Sequence, residues 1–461
     1  MVKMKTLFKN GTLVSGSGTR REDMLVEDGI IKMTAPSIEE AADEIVDCTG
    51  KILFPGFIDG HTHMDLHVGG TVTADDFTSG TASAITGGTT MLVDFGTQYH
   101  GETLNEALDN WHKKAGEGNS CDYSFHMSIS EWTPKVCEEV QDMMDKGITT
   151  FKLYMTYPDM MLNDGEIYEV LKRLKEVGSF AGVHCENSEV INALIRENKA
   201  RGNLGPSAHP ASRPDDMEAE AVHRLMVIAK TADAPVMVVH TTNKKALDEI
   251  RRARQEGVTV YCETCPQYLM LDKSCYDKPN FEGAKYVCAP PLRTKADQEE
   301  LWKGIKEGDV DIISTDHCSF TWAQRQLGKD DYTKIPGGLA GVETRGNLIW
   351  SEGVAKGRIS AECACRVLAE NPAKLFGLYP KKGTLSQGSD ADIVIIDPDK
   401  KKTITAEGQV TKIDYNVYEG TELEGCIDKV YLRGQKCVDD GKLIQTGLGR
   451  FVAREKPSYQ R

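Results

Sequence analysis

The sequence predicts an α/β protein: a TIM (β/α)8 barrel with a second, smaller β-sandwich domain built from both chain termini. Two observations predict the barrel: eight short apolar runs recur within residues 57–380, and amphipathic helical stretches lie between them. Near-continuous apolar strands that alternate with helices are typical of parallel strands covered on both faces. Eight such units favour a closed barrel. An open doubly wound sheet is the alternative, but no Gly-rich phosphate-binding motif follows the first strand.

The eight strands are predicted from runs of apolar residues. They are ILFPGFIDG, TTMLVDFG, DYSFHMSI, ITTFKLYMT, FAGVHCEN, APVMVVHTT, VTVYCETC and VDIISTDHC. The helices are predicted from stretches with apolar residues three or four positions apart, such as DGEIYEVLKRLKEVG and KKALDEIRRARQEG, which end near glycine.

The two ends of the chain have a different character. LFKNGTLV, DMLVEDGIIKM and SDADIVIIDP read as short strands, with Asn-Gly and Asp-Gly turns near the start. Neither end could bury a core alone, so we expect residues 1–56 and 381–446 to form one composite domain beside the barrel at 57–380. The polar stretch 447–461 is expected to be a frayed tail or an arm lying on another subunit.

Composition limits the possible partners of the chain. Of 461 residues, 40% are hydrophobic and 27% are charged, which is typical of a globular protein. The net charge of −15 argues against nucleic acid and anionic membranes, since both attract a cationic surface. The N-terminal stretch does not resemble a signal peptide and no apolar run is long enough to span a membrane, so we expect a cytoplasmic protein. The 13 scattered cysteines suit reduced thiols.

Polar residues follow several predicted strands at their C-terminal ends, where barrels of this kind carry their chemistry. They are His61, His63, Lys152, His184, His240 and Asp316. A strand directs alternate side chains to one face, so His61 and His63 are expected to point together. A single such histidine is more often a hydrogen-bonded core residue than a ligand. Four of them with a carboxylate predict a site for divalent metals of the zinc type.

Lys152 interrupts the apolar run TTFKLYMT. A buried ammonium group is costly, and burial lowers its pKa. One interpretation is a Schiff-base lysine, as in barrel aldolases. The other is a carbamate formed with CO2, an anion whose two oxygens can bridge two metals. We favour the carbamate, because an amine nucleophile beside four histidines would face a cationic metal centre without purpose.

With these six positions the chain resembles the cyclic amidohydrolases, and most closely their hydantoinase/dihydropyrimidinase branch. The resemblance runs from KNGTLV through PGFIDGHTH, FKLYMTY, VHCEN, ETCPQYL, PPLR, STDHC and GVETR to GSDADIVIIDP. It implies two divalent metal ions per chain, which we expect to be zinc. One would be held by His61, His63 and Asp316 and the other by His184 and His240, with Lys152 as the bridging N6-carboxylysine.

The resemblance also implies a reaction: hydrolytic opening of hydantoins, 5-substituted and expected to be of the D form, or of dihydropyrimidines, to N-carbamoyl amino acids. Asp316 would take a proton from the attacking water and pass it to the leaving nitrogen. Tyr157 would donate to the developing oxyanion, with a plain wall aromatic as the alternative role. Ala289 and Gly337 match points where the family holds the ring through main-chain groups, although many relatives carry Ser and Asn there. Relatives are usually tetramers or dimers, so a homo-oligomer is expected.

Two loops are expected to set substrate size, at residues 64–77 and 153–162. Their apolar residues suggest a hydrophobic exocyclic group on the substrate. Equally, the methionines could simply cover the barrel rim, and selection of aromatic groups stays open. The residues concerned are Leu66 and Tyr154, expected to contact substrate, with Met155, Met160 and Met161.

Other members of the superfamily are the nearest alternatives. Dihydroorotases follow the histidine pair with arginine (H-x-H-x-R), whereas Met64, Asp65 and Leu66 follow here. An allantoinase is harder to separate, because allantoin is itself a hydantoin. A non-catalytic scaffold, like the dihydropyrimidinase-related proteins, is a further alternative; those proteins have lost metal ligands that this chain retains.

Overall fold

A computed structural model describes residues 4–459 of the chain. It contains nineteen strands within those residues, numbered here in chain order. They are Lys5–Ser15 (β1), Gly18–Glu27 (β2), Ile30–Ala35 (β3), Glu44–Asp47 (β4), Ile52–Pro55 (β5), Phe57–Thr62 (β6), His67–Val68 (β7), Thr71–Val72 (β8), Thr89–Thr97 (β9), Asp122–Ser128 (β10), Phe151–Tyr154 (β11), Ala181–His184 (β12), Val236–Val238 (β13), Val260–Thr264 (β14), Ile312–Ile313 (β15), Ile393–Thr403 (β16), Glu422–Leu432 (β17), Gln435–Asp439 (β18) and Lys442–Leu443 (β19).

Eight of these strands form the predicted barrel. β6 and β9–β15 are parallel neighbours in chain order, and each overlaps one of the predicted apolar runs. A parallel bridge between Thr62 and His317 joins the last strand region to the first. The main-chain N–H of His63 donates to the carbonyl oxygen of His317 at 2.8 Å. The sheet is thereby closed, which confirms the barrel and excludes the open sheet.

Helices surround the barrel and connect its strands. They are Phe77–Thr86 (α1), Leu104–Ala115 (α2), Pro134–Asp145 (α3), Asp164–Val177 (α4), Ser188–Ala200 (α5), Ala208–Ser212 (α6), Asp215–Ala232 (α7), Lys244–Gln255 (α8), Pro266–Met270 (α9), Lys295–Glu307 (α10), Trp322–Arg325 (α11), Arg345–Leu348 (α12), Ala361–Cys365 (α13) and Asn371–Leu375 (α14). Their ends follow local sequence: α4 begins with a capping box from Asn163 to Glu166 and ends at Gly178, whose φ is +79°. Among residues 4–459, no helix combines the length and apolar character that crossing a membrane requires.

Strands from both ends of the chain pair in one nine-stranded sheet, which confirms the composite β-domain as part of the fold class. β5 joins the two ends: it runs parallel to β1 on one side and antiparallel to β16 on the other. The residue limits of this domain, 1–56 and 381–446, stay a prediction. The run ILFPGFIDG divides between this sheet and the barrel at Gly56, where a Cβ would lie 2.0 Å from Thr90 Oγ1.

The two predicted turns near the N-terminus differ in the structure. Asp28-Gly29 connects β2 and β3 with positive φ at both residues, as an Asp-Gly turn requires. Asn10-Gly11 is not a turn but a bulge within β1, where the pairing register with β2 shifts. The bulge removes Asn10 from the ladder of strand hydrogen bonds. Its N–H donates instead to Asp23 Oδ1 at 2.8 Å.

The described part of the predicted tail, residues 447–459, lies along the base of its own barrel rather than fraying. The N–H of Tyr123 donates to the carbonyl oxygen of Arg450 at 3.0 Å. Arg454 is 4% exposed and anchors the segment. It donates to Ser124 Oγ, to Thr150 Oγ1 and to the carbonyl oxygens of Phe125 and Phe376. The segment has few apolar anchors, Phe451 and Val452 among them, and depends also on a buried arginine, which explains why the sequence pattern suggested a loose end. Positions 460 and 461 lie outside the described residues.

Candidate active site

The six polar strand-end residues converge at the mouth of the barrel. His61 lies in β6 with His63 just beyond it, Lys152 lies in β11 and His184 ends β12. His240 and Asp316 follow β13 and β15 by two and three residues. All six line a single cavity of about 860 Å³. Because the strands are parallel, residues separated by up to 255 positions share one end of the barrel.

Two histidines and a carboxylate form the tightest group. Nε2 of His63 lies 3.0 Å and Nε2 of His61 lies 3.2 Å from Oδ1 of Asp316. The ligand atoms of the three side chains all lie within 4.8 Å of one another. Burial acts to raise the pKa of Asp316, but the neighbouring imidazoles of His61 and His63 hold that pKa well below its usual range. An ionised carboxylate beside two imidazoles is a suitable ligand set for a divalent metal.

The second pair of histidines lies next to this group. The rings of His184 and His240 are 4.5 Å apart, and the ring of His240 is 5.4 Å from that of His61. Burial lowers the pKa of both His184 and His240, which favours the neutral imidazole that metals bind. Nδ1 of His240 is buried without a hydrogen-bond partner among residues 4–459. The donor set therefore fits a second metal ion.

Lys152 is buried beside both groups. Its Nζ lies 3.5 Å from Nε2 of His61 and 4.9 Å from the centre of the Phe95 ring. Burial lowers the pKa of the Lys152 amine to about 8. Only the neutral amine reacts with CO2, and the lowered pKa increases the share of that form near neutral pH.

Two glutamates that sequence reasoning missed orient these histidines. Glu263 Oε1 accepts from Nδ1 of His61 at 2.7 Å, and Glu186 Oε2 lies 2.8 Å from Nε2 of His184. Burial acts to lower the pKa of His61, but the carboxylates of Glu263 and Asp316 together outweigh it and the pKa is raised. A carboxylate behind a histidine fixes the ring and makes its other nitrogen a better ligand. Nε2 of His61 and Nδ1 of His184 are thus left for a metal.

Three of the site residues have left-handed backbone conformations, which non-glycine residues rarely adopt. The φ angles are +71° at Tyr157, +39° at His240 and +52° at Asp316. Glu263 supports one of them, because its Oε1 also accepts from the N–H of His240 at 2.9 Å. Strained backbone at catalytic positions is maintained only where the surroundings hold it. Here a single carboxylate oxygen holds both the His61 ring and the His240 main chain.

The five residues expected to meet substrate all line the same cavity: Leu66, Tyr154, Tyr157, Ala289 and Gly337. The methionines of the second loop lie in different environments. Met160 lines the cavity, whereas Met155 is 2% exposed and packs in the hydrophobic core that includes Leu153 and the surrounding helices. The expected apolar lining therefore includes fewer methionines than the sequence suggested, because alternate residues of an extended segment face opposite sides and Met155 lies on the side of Leu153.

Tyr157 stands over the second histidine pair. Its ring centre is 5.1 Å from that of His184, and the guanidinium of Arg213 lies 5.5 Å from the Tyr157 ring. Burial raises the pKa of Tyr157, so its hydroxyl stays protonated and able to donate. Arg213 also forms an ion pair of 2.6 Å with Glu186, which connects the tyrosine to the carboxylate behind His184.

The missed residues had a signal in the sequence. Glu186 in VHCEN and Glu263 in YCETC interrupt apolar runs in the same way as Lys152 does. A charged residue within a buried strand is costly unless it is paired, so each marks a functional or structural ion pair. Arg213 lies in a polar loop and gives no comparable signal.

Comparisons with known proteins identify the family of the chain. Residues 52–437 match the model of the amidohydrolase family. The chain is 43% identical to D-hydantoinase of Geobacillus stearothermophilus (98% of this chain, 97% of that protein) and 40% identical to D-phenylhydantoinase of Escherichia coli strain SE11 (98% of each). The crystal structure of dihydropyrimidinase from Brevibacillus agri NCHU1002 superposes with a TM-score of 0.97 at 40% identity, over 99% of this chain and 100% of that one. The chain therefore belongs to the amidohydrolase family, within its hydantoinase/dihydropyrimidinase branch of metal-dependent cyclic amidohydrolases.

Proposed function

We propose that this protein hydrolyses the ring amide of hydantoins, 5-substituted and of the D form, or of dihydropyrimidines, and releases N-carbamoyl amino acids. The observation that carries the proposal is the convergence of four histidines, Asp316 and a buried lysine in one cavity with Tyr157. The names of the relatives support the substrate class, since two of them are D-hydantoinases or D-phenylhydantoinases.

The proposed cofactors are two zinc ions. His61, His63 and Asp316 would hold the first and His184 and His240 the second, with Lys152 carboxylated by CO2 and shared between them. Bound divalent metals supply Lewis acidity, which lowers the pKa of water and polarises a carbonyl oxygen. Carboxylation would remove the positive charge of Lys152 from the centre of four histidines, where an ammonium group opposes metal binding.

Asp316 is proposed to move the proton. Its Oδ1 lies beside the first histidine pair, and its side chain is 11% exposed and lines the cavity. The carboxylate can take a proton from the attacking water and deliver it to the ring nitrogen as the C–N bond breaks. Its lowered pKa keeps it in the ionised form that accepts a proton.

Tyr157 is proposed to stabilise the charge that develops on the ring oxygen. Its hydroxyl stays protonated and the left-handed backbone at this residue fixes the direction of the side chain. A donor held in place before the reaction begins stabilises an oxyanion without reorganisation.

The ring itself is proposed to be held by the main chain of Ala289 and Gly337. Both residues line the cavity, and no hydrogen bond within residues 4–459 engages the main-chain N–H or C=O of either. Main-chain groups that line a cavity and have no partner in the chain are available to hydrogen-bond a ligand. Leu66 and Tyr154 would contact the exocyclic group of the substrate. We also propose that the protein is a cytoplasmic homotetramer or homodimer.

The experiment is a panel of four rings: hydantoin, 5-phenylhydantoin, dihydrouracil and allantoin, with ring opening followed for each. Opening of 5-phenylhydantoin or dihydrouracil by the zinc-loaded protein supports the proposal. Opening of allantoin alone assigns a different ureide to the same site. A metal-loaded protein that opens none of the four contradicts the proposed function.

A further inference from the structure

Arg325, at the end of α11, is a fully buried cation with no charged partner among residues 4–459. It is 0% exposed. All of its hydrogen bonds within the described chain go to uncharged oxygen atoms: the carbonyls of Val287, Pro336 and Gly338 and the hydroxyl of Tyr415. Burying a guanidinium without a carboxylate partner costs free energy of folding. Packing alone therefore does not account for an arginine at this position.

The three carbonyls belong to two separate segments of the cavity wall. Pro336 and Gly338 lie on either side of Gly337, and Val287 lies two residues before Ala289. Nη1 of Arg325 donates to Val287 at 3.0 Å and also to Pro336, and Nη2 donates to Gly338. One guanidinium therefore joins the two segments that carry the unpaired main-chain groups facing the cavity.

Neighbouring contacts fix the same two segments. The N–H of Gly338 donates to the carbonyl oxygen of Val287 at 2.9 Å, so the segments also touch directly. Nε2 of His209 lies 2.8 Å from the carbonyl oxygen of Cys288, in the first of the two segments. The hydroxyl of Tyr415, from the C-terminal part of the chain, accepts from Nε of Arg325 at 3.0 Å and holds the guanidinium in place.

We propose that Arg325 is a positioning residue that fixes the separation of the Val287–Ala289 and Pro336–Gly338 segments and thereby sets which ring size the cavity accepts. The inference rests on the proposed function, because it takes Ala289 and Gly337 to hold the ring. Arginine suits this role because its planar fork presents several donors in fixed directions. A lysine ammonium is a single point and cannot hold three carbonyls of two segments in one arrangement.

The test compares a five-membered with a six-membered ring. In Arg325→Lys the two segments lose their common anchor, so the distance between them can increase. Hydrolysis of the six-membered ring should then become more efficient relative to that of the five-membered ring. We expect the ratio of kcat/KM for hydantoin to that for dihydrouracil to fall by about fivefold or more, through KM, while kcat changes by less than about threefold. Metal content stays at the wild-type value. The ratio does not depend on the fraction of protein that is correctly folded.

A matched control and a second variant complete the design. Arg345 is also 0% exposed and donates to the carbonyls of Ile58 and Ile313, and none of its hydrogen bonds within the described residues goes to the Val287–Ala289 or Pro336–Gly338 segment. Arg345→Lys is expected to lower stability and leave the ratio unchanged. Tyr415→Phe removes a single hydroxyl and is expected to shift the ratio in the same direction as Arg325→Lys, by a smaller amount.

An unchanged or increased ratio in both Arg325→Lys and Tyr415→Phe overturns the inference, as does an equal fall in Arg345→Lys. Failure of the proposed function is separate from this outcome. In that case the wild-type, metal-loaded protein opens neither ring, and no ratio exists to compare.

Discussion

Two sets of residues that line the cavity are proposed to work by different means. On the metal side, six side chains at or just beyond the ends of barrel strands would act through their chemical identity. On the ring side, Ala289 and Gly337 would act through their main-chain groups, so that their position matters rather than their side chains. The metal side should therefore tolerate almost no substitution. The ring side should tolerate changes at its own residues but respond to changes in the residues that place it.

The largest effect is expected on the metal side, at Lys152. Lys152→Ala removes the proposed bridge, so metal and activity should be lost together, with turnover falling by at least about 10⁴-fold, beyond what proton transfer alone supplies. Small carboxylic acids such as propionate should restore part of both, because they replace the carbamate oxygens. Metal analysis and ring-opening rates measure this. Full activity without added acid would remove the bridging role.

The next effect separates proton transfer from metal binding. Asp316→Asn keeps an oxygen ligand but loses the base, so we expect most of the metal to be retained while turnover falls by about 10²- to 10⁴-fold. Metal content and kcat are measured on the same preparation. Wild-type turnover in Asp316→Asn would exclude this residue from proton transfer.

A smaller effect is expected at Glu263, which contacts the proposed metal ligand His61 rather than the metal. Glu263→Gln keeps a hydrogen-bond acceptor for His61 but removes the charge, so zinc affinity should fall by about 10- to 100-fold. Competition with a chelator measures the affinity. Glu343→Gln serves as the control, because Glu343 accepts from main-chain N–H groups at Val410 and Thr411, away from the site. Equal zinc affinities in the two variants would contradict the orienting role.

The smallest effect is expected on the ring side. Ala289→Ser changes the side chain but leaves the main-chain groups, so kcat/KM should stay within about threefold of wild type for each ring. Steady-state kinetics with hydantoin and dihydrouracil measure this. A loss of a hundredfold would mean that side-chain identity matters at Ala289, and the contrast between the two sides would fail.

The same contrast explains what could be predicted from the sequence. The barrel, the composite β-domain and the convergence of His61, His63, Lys152, His184, His240 and Asp316 follow from strand periodicity and from polar residues at strand ends. Glu186 and Glu263 carried a similar signal, since each interrupts an apolar run. Side chains on strands are predictable because a strand fixes their direction.

Other features depend on contacts that no local pattern records. Arg325 lies in a polar segment, and only the folded chain shows that its donors reach two distant loops. The C-terminal segment is held by the buried Arg454 together with Phe451 and Val452, which are too few to form an apolar periodicity. Asn10-Gly11 has the composition of a hairpin turn but forms a bulge, because pairing with β2 continues on both sides of it.

The most direct test of the central claim is the metal content of the purified chain at saturation with zinc, measured by inductively coupled plasma mass spectrometry beside Lys152→Ala. The account predicts about two zinc ions per wild-type chain and a loss of most of both in the variant. A wild-type chain that binds no zinc, or a variant that keeps two ions, would contradict it.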